Sequence, residues 1–368
     1  MGEEAQMPCA TFEKVKQALV CPKHRQPLIT EKEFSTDGVP WPDGEFCCPE
    51  GCRWKVRGGI PRFVSESSYA SSFGVQWNKY PRTELDSYTG KSYSRQRLER
   101  CLGGPLELLR GKTVLECGSG AGRFTELLIR NCESLVCMDL SSAVDANLRN
   151  CRPLAPYLIV QGDIQASPLP KQFFDIVVCL GVIQHTSNPE LTIACLASHV
   201  KPGGHLVIDH YTRDRGSRGR NLLLSHLDYI DMVYPIRAVL RRMKPERAIR
   251  VTKALTAVCD PLRRHTCKSP AVDRIAKRLL PTACYYRKFP DLDPKIVYEM
   301  NELDTCDWLT DYYKFFRSPK EICATLEGLG LEVESCGLGG NGVEARARVP
   351  PTQMAEVGRT SEPIGMSA

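Results

Sequence analysis

Val114-Leu115-Glu116-Cys117-Gly118-Ser119-Gly120-Ala121-Gly122-Arg123-Phe124 decides the fold of this chain. The apolar run reads as a buried strand, the alternating glycines as a tight turn, and residues from about 122 to 131 as a helix. A Cβ at Gly118, Gly120 or Gly122 would forbid the turn or hold a ligand away from the backbone. Glu116, at the strand end, can accept hydrogen bonds from a ligand amine or hydroxyl. The start of the helix is expected to aim unpaired N–H groups into the same space.

Working outward, strands alternate with helical segments, the pattern of a parallel sheet with crossovers. Strands are expected at 113–117, 134–138, 157–161, 174–180 and 205–210, with helices near 93–110 and 188–199. Ligands of open α/β sheets lie beyond the carboxyl ends of such strands. Glu116, Asp139, Asp163 and Gly181 fall at four of those ends, so four loops converge on one crevice. After residue 211 the alternation stops. Residues 212–290 carry 19 Lys and Arg against 6 Asp and Glu, with apolar residues at helical spacing in 222–234 and 236–255. This is the composition of a basic helical insertion, assigned to 212–311 as a substrate lid. The sheet resumes at 312–350 with a helix and an antiparallel pair around Gly339-Gly340-Asn341-Gly342, and 351–368 reads as a disordered tail.

The 368 residues, 42% hydrophobic and 25% charged, suffice for one large α/β domain and a small module. No run of 18 apolar residues marks a membrane span. The acidic start Met1-Gly2-Glu3-Glu4 is not a secretory signal, and Gln6 stands where a myristoylation motif needs Ser or Thr. The expected location is cytoplasmic, so the 18 cysteines read as reduced thiols. Four are exceptional company for a histidine: Cys21-Pro22-Lys23-His24 and Cys47-Cys48-Pro49-Glu50-Gly51-Cys52 form two chelating knuckles. Cys21, His24, Cys48 and Cys52 fit a tetrahedral, structural Zn2+ site in a ribbon module spanning 1–63, with Cys47 as a competing thiol. The alternative is a β module of the same shape without metal. Residues 64–110 read as a linker, which can become a lid through Trp77, Tyr80, Leu85 and Asp86, and a leading helix.

A dinucleotide is disfavoured, because Arg123 stands where its third glycine belongs and Glu116 precedes the turn. Val114–Phe124 instead resembles motif I, E-x-G-x-G-x-G, of the class I S-adenosylmethionine-dependent methyltransferases. The likeness covers about 112–211 and 318–349 and includes Asp139, Gly162-Asp163-Ile164, Phe174-Asp175-Ile176-Val177 and Lys201-Pro202-Gly203-Gly204. It implies a Rossmann-like seven-stranded methyltransferase sheet, α/β in class. Residues 54–63 resemble ribbon segments that precede some bacterial methyltransferase domains, one of which acts on ribosomal RNA. The flanking runs 73–87 and 303–312 are similar to bacterial enzymes of small-molecule or glycan type. In this reading Gly118, Gly120 and Gly122 pack against the cofactor, and Asp139 takes the ribose hydroxyls. Asp163 bonds the adenine amine, Ile164 meets the ring, Leu180 and Gly181 add backbone contacts, and Glu116 orients the methionine end.

The resemblance implies methyl transfer from S-adenosylmethionine to an O or N nucleophile. A base is needed only for a hydroxyl or a protonated amine. His185, His210 and Tyr211 are the candidates, and Asp304, Asp307 and Tyr312 can line the acceptor pocket. The basic insertion favours a small anionic, glycan-like or lipid-linked acceptor. Ribosomal or transfer RNA is the alternative, and a non-enzymatic cofactor-binding protein is a second. Oligomeric state is not encoded in any motif.

Overall fold

The computed structural model describes residues 7–30, 41–64, 70–213 and 233–351; the expected tail beyond 351 and most of the 222–234 segment lie outside them. Five parallel strands form the centre of the main sheet: β5 (Thr113–Cys117), β6 (Ser134–Asp139), β7 (Leu158–Gln161), β8 (Phe174–Cys179) and β9 (Val200–His210). The last two, β10 (Glu332–Gly339) and β11 (Gly342–Arg348), are an antiparallel hairpin. The order β10-β11-β9-β8-β5-β6-β7 places β5 in the middle of the five parallel strands, and β11 is antiparallel to β9. This is the Rossmann-like seven-stranded methyltransferase sheet expected from the sequence.

Successive strand residues feed opposite faces, as the pleat requires. Leu115, Val136, Val177 and Leu206 enter one core. Val114, Leu135, Ile176 and Val207 enter the other. The first core is closed by α7 (Pro189–His199) and α12 (Pro319–Gly328), the second by α4 (Tyr93–Leu102) and α6 (Val144–Cys151). Cys117, Cys137 and Cys179 are fully buried free thiols in these strands.

Two expectations shift and one helix is new. The helix expected over 93–110 ends at Leu102, because Gly103 takes φ +75° and Pro105 follows. The turn expected at 201–204 is absorbed into β9, with a register irregularity opposite Phe174–Ile176. The lead-in before the ribbon is a helix, α1 (Met7–Gln17), whose Phe12 and Val15 belong to the main core with Trp41, Phe46 and Phe63 of the small sheet.

That small sheet, β1 (Ile29–Thr30), β2 (Gly44–Cys47), β3 (Arg53–Arg57) and β4 (Ile60–Pro61), is therefore not a detached module. Phe63 N–H donates to the Gln161 carbonyl at 2.7 Å, tying the end of the ribbon to edge strand β7.

The insertion is helical: α8 (Val233–Leu240), α9 (Pro245–Thr266), α10 (Pro270–Leu279) and α11 (Pro294–Thr310). Pro245 separates what the spacing suggested as one helix over 236–255. α11 packs on α9 and on α2 (Ser71–Lys79), where Gln76 Nε2 donates to the Leu303 carbonyl at 3.0 Å. The insertion and the 70–80 segment so form a roof over the carboxyl ends of the strands. No helix among the described residues is long and apolar enough to cross a membrane.

Candidate functional site

A cavity of about 420 Å³ lies under this roof, within the usual range for small-molecule sites. Its floor is the glycine turn. Gly118 takes φ +75°, and a Cβ there would lie 2.1 Å from Val182 Cγ2. A Cβ on Gly120 (φ +50°) would stand 3.8 Å from the Trp77 ring, in the space between turn and roof. Gly122 serves packing instead: its φ is +102° and a Cβ would meet Cys151 Sγ at 2.6 Å, and it does not line the cavity.

The helix expected from 122 is only Thr125–Leu128, because the backbone at Gly122 is left-handed. The turn's N–H groups are spent internally: Gly120 N–H on Asp139 Oδ2 (2.9 Å) and Gly122 N–H on the Ser119 carbonyl (3.0 Å).

Asp139 lines the cavity at the end of β6. Its carboxylate also accepts from Ser141 N–H (2.8 Å) and Ser141 Oγ–H (2.7 Å). Burial raises its pKa, and these three bonds oppose the rise. Asp163 and Ile164 line the wall after β7, where Asp163 also accepts Gln165 N–H at 2.9 Å. Leu180 and Gly181 line it after β8.

Gly181 N–H donates to Asp209 Oδ1 at 2.6 Å, and Arg97 pairs with the other oxygen of the same carboxylate. The buried Asp209–Arg97 pair, absent from the sequence expectations, thus fixes the loop after β8. An acid ending an otherwise apolar strand was its only sequence signal.

Glu116 is not on the cavity wall. Its carboxyl is buried between β5 and β6, accepting Thr125 Oγ1–H at 2.6 Å with Cys137 Sγ at 3.5 Å. Burial pushes its pKa up to about 8, against the pull of those two hydrogen bonds. The acid expected to reach a ligand amine instead braces the turn from below.

The other half of the cavity is built by side chains. Phe73, Trp77, Tyr211, Tyr285 and Trp308 give it aromatic walls. Glu84, Asp304 and Asp307 give it acids, and Glu84 is paired with Arg123 at 2.6 Å. Burial pushes Asp304 up to about 7, with the Glu84 charge adding to the rise, while Tyr285 donates its hydroxyl proton to the carboxylate. Asp307 Oδ1 is buried without a hydrogen-bond partner. Glu84 and Tyr285 were not anticipated, since neither belongs to a local pattern. Of the expected lid residues only Trp77 lines the cavity. Tyr80 bonds Glu302, Leu85 is buried, and Asp86 accepts the backbone N–H groups of Ser94 and Arg95. Tyr312 is not on the wall.

The two histidines part company. His185 lines the cavity between Phe73 and Tyr211. Its Nδ1 lies 3.1 Å from the Tyr313 carbonyl and 3.3 Å from Asp311 Oδ2. A carbonyl only accepts, so Nδ1 carries the proton and, in the neutral ring, Nε2 holds a free lone pair. Burial lowers the pKa of His185, but the Asp311 hydrogen bond and the Asp307 charge outweigh it and the net direction is up. His210 is fully buried, does not line the cavity and donates through Nδ1–H to the Tyr211 carbonyl (2.8 Å). It leaves β9 on the face opposite Asp209, which removes it as a base.

His185, Asp307 and Asp311 have ligand atoms within 4.8 Å of one another. Asp311 is already compensated by Arg237 and by Lys314 at 3.3 Å, so a dication would face two resident cations.

At the ribbon, ligand atoms of Cys21, His24 and Cys52 also lie within 4.8 Å of one another, and Cys48 Sγ is 3.5 Å from His24 Nδ1. Cys47 is not in that cluster. Among the remaining histidines, His199 bonds the Pro170 carbonyl and His205 pairs with Glu334.

Comparison with known proteins agrees with this geometry. The ubiquinone biosynthesis O-methyltransferase of Schizosaccharomyces pombe is 28% identical over 131 residues, which are 34% of this chain and 47% of that protein. The enzyme of the same name from Pseudomonas paraeruginosa is 30% identical over 110 residues, 29% of this chain and 47% of that one. The chain thus spans about half the length of the curated relatives it matches. A crystal structure of a SAM-dependent methyltransferase from Aquifex aeolicus aligns with 75% of this chain and 98% of its own, at 14% identity and a TM-score of 0.39. A score of that size adds nothing to the strand order described above. The profile of the family described as "Methyltransferase domain" matches residues 115–208, the segment from β5 to β9 that forms the floor and one wall of the cavity. Residues 115–208 therefore match the methyltransferase domain family.

Proposed function

We propose that the protein binds S-adenosylmethionine over the glycine turn and transfers its methyl group to an oxygen or nitrogen of a small molecule held under α11. The observation that carries this reading is a single cavity with two chemically different halves. One is a backbone cradle at the strand ends, the other a ring of aromatic and acidic side chains. The residues present fit the cofactor. Gly120 leaves open a space under Trp77 that a side chain would fill, and Gly118 lets the turn pass against Val182. Ser119 Oγ is buried with no partner. Asp139 and Asp163 suit ribose hydroxyls and an adenine amine and would repel a pyrophosphate.

When bound, the cofactor supplies a methyl group already activated on a sulfonium. What remains for the chain is to hold a nucleophile in line and exclude water. Trp77 and Trp308 supply the cover, and the Arg97–Asp209 pair keeps the Gly181 loop in place. For a hydroxyl acceptor, His185 Nε2 receives the proton while the Tyr313 carbonyl accepts Nδ1–H and Asp311, 3.3 Å from Nδ1, balances the imidazolium formed.

The basic insertion suggested an anionic acceptor. The cavity favours instead an acceptor that brings hydrogen-bond donors, since Asp304 and Asp307 await them and Arg97 and Arg123 are already paired. The relatives are named as O-methyltransferases, which favours a hydroxyl among those donors. Calorimetry with S-adenosylhomocysteine tests the reading: Asp139→Ala should weaken binding at least tenfold, through loss of charge-assisted hydrogen bonds of about 1.5–3 kcal/mol each. Equal affinity of the variant and the natural protein would refute the assigned cradle.

We also infer a structural zinc ion held by Cys21, His24, Cys48 and Cys52. Tetrahedral zinc with Zn–S of about 2.3 Å and Zn–N of about 2.0–2.1 Å separates sulfur from nitrogen by about 3.6 Å. Cys48 Sγ and Cys52 Sγ lie 3.5 and 3.7 Å from His24 Nδ1. Four protein ligands leave no position for catalysis.

A further inference from the structure

Seven of the fourteen exposed large apolar side chains among the described residues fall between Val239 and Leu279. Helix α9 buries Ala248, Thr252, Thr256 and Cys259 on its inner face. Its outer face is apolar as well: Val251, Val258 and Leu262 recur at helical spacing, and Val258 is 78% exposed. Helix α10 continues the surface with Val272, Ile275 and Leu279, the last two 61% and 65% exposed. Between the helices runs an apolar groove of about 340 Å³ lined by Leu262, Val272, Ile275 and Leu279. A second apolar face on a surface helix calls for a partner.

Charge says which kind. From Arg241 to Leu280 the sequence has twelve Lys and Arg against three acids. Asp273 is buried under Arg263 and Lys277, and Asp260 accepts from Tyr286 and Asn301, leaving Glu246 as the exposed acid. Arg247, Arg250, Lys253 and Lys268 are exposed around the apolar stripe.

We propose that the outer face of α9 and α10 docks on the surface of an anionic lipid bilayer, with Val258, Leu262, Ile275 and Leu279 entering the acyl boundary and the cations meeting headgroups. Helices with an apolar stripe and a basic margin lie in the interface plane in this way. RNA would meet the cations but has no apolar phase for the stripe. The surface lies on the helix that backs α11, so docking holds the roof of the acceptor half against the bilayer.

The test is flotation of the full chain with phosphatidylcholine vesicles, with and without 30 mol% phosphatidylglycerol. Binding to the anionic vesicles, weak with phosphatidylcholine alone and weakened by salt, is expected. Val258→Asp with Ile275→Asp should lower partitioning at least about tenfold. Arg250→Gln with Lys253→Gln should lower it about 25-fold at low salt, about fivefold per cation. Circular dichroism melts of both variants check that the fold is kept. No flotation with either vesicle overturns the proposal, as does flotation that survives V258D/I275D. So does an RNA gel shift in the absence of vesicle binding, or a dimer in analytical ultracentrifugation that V258D/I275D dissociates.

Discussion

Replacing Glu116 by Gln tests what the acid beside the glycine turn is for. Its carboxyl is 3% exposed, accepts Thr125 Oγ1–H at 2.6 Å and touches no part of the cavity. Burial lifts its pKa from the ordinary 4.5 to about 8, with the two hydrogen bonds opposing. The folded chain therefore keeps this proton over a range in which the unfolded chain has lost it. Stability contributed by the protonated carboxyl is full below about 4.5 and falls as the pH rises toward 8, by about 1.4 kcal/mol per pH unit. Between pH 5 and 8 the loss integrates to about 3–4 kcal/mol, an upper figure. Glu116→Gln cannot ionise and still offers Thr125 an oxygen. The urea-unfolding free energy of the variant should lack that slope and overtake the natural protein as pH rises. Its S-adenosylhomocysteine affinity should change less than about threefold, whereas loss of a contact to a ligand ammonium would cost tenfold or more. Parallel stability–pH curves for the two proteins would refute the burial argument. A large affinity loss would restore Glu116 to the binding site.

The proton on His185 gives a second readout. Its raised pKa predicts that kcat/KM for a hydroxyl acceptor climbs with pH through a midpoint above 6.5 as the ring becomes neutral. His185→Gln should flatten that limb and lower kcat by about 10²–10⁴, and an unchanged limb would exclude the residue as base. Asp304→Asn should raise the acceptor KM while leaving S-adenosylhomocysteine binding by calorimetry untouched, because Asp304 lines only the acceptor half; equal effects on both ligands would contradict that division. For the ribbon, mass spectrometry of the metal content should find one zinc per chain, and Cys52→Ser should lose it with a lower melting temperature. Full-length protein purified without zinc and melting at the same temperature as the metal-loaded form would remove the ribbon site.

The cofactor half was legible because backbone builds it. Buried parallel strands are continuous apolar runs, so their ends at Asp139, Asp163 and Gly181 can be counted off the sequence. Where local rules compete, legibility falls. Gly122 serves both a turn and helix packing, and its positive φ shortened the helix that the spacing promised. Glu116 and His210 failed for one reason: a strand residue faces one side or the other, and motif position alone does not say which. Alternation from Asp209, which bonds the cavity loop, would have placed His210 on the far side. The acceptor half is a different problem. Glu84 lies more than 200 residues from both Tyr285 and Asp304, and they meet because α11 packs on α2 through contacts such as Gln76 with Leu303. No period or motif encodes that meeting. The same division governs chemistry: a donor held by strand-end backbone tolerates many different roofs, and the roof selects the acceptor. The carboxylates it contributes, with Asp304 pushed up to about 7 and Asp307 Oδ1 without a hydrogen-bond partner, outweigh the insertion's formal charge, because a ligand in the cavity meets these acids while the cations of α9 face outward.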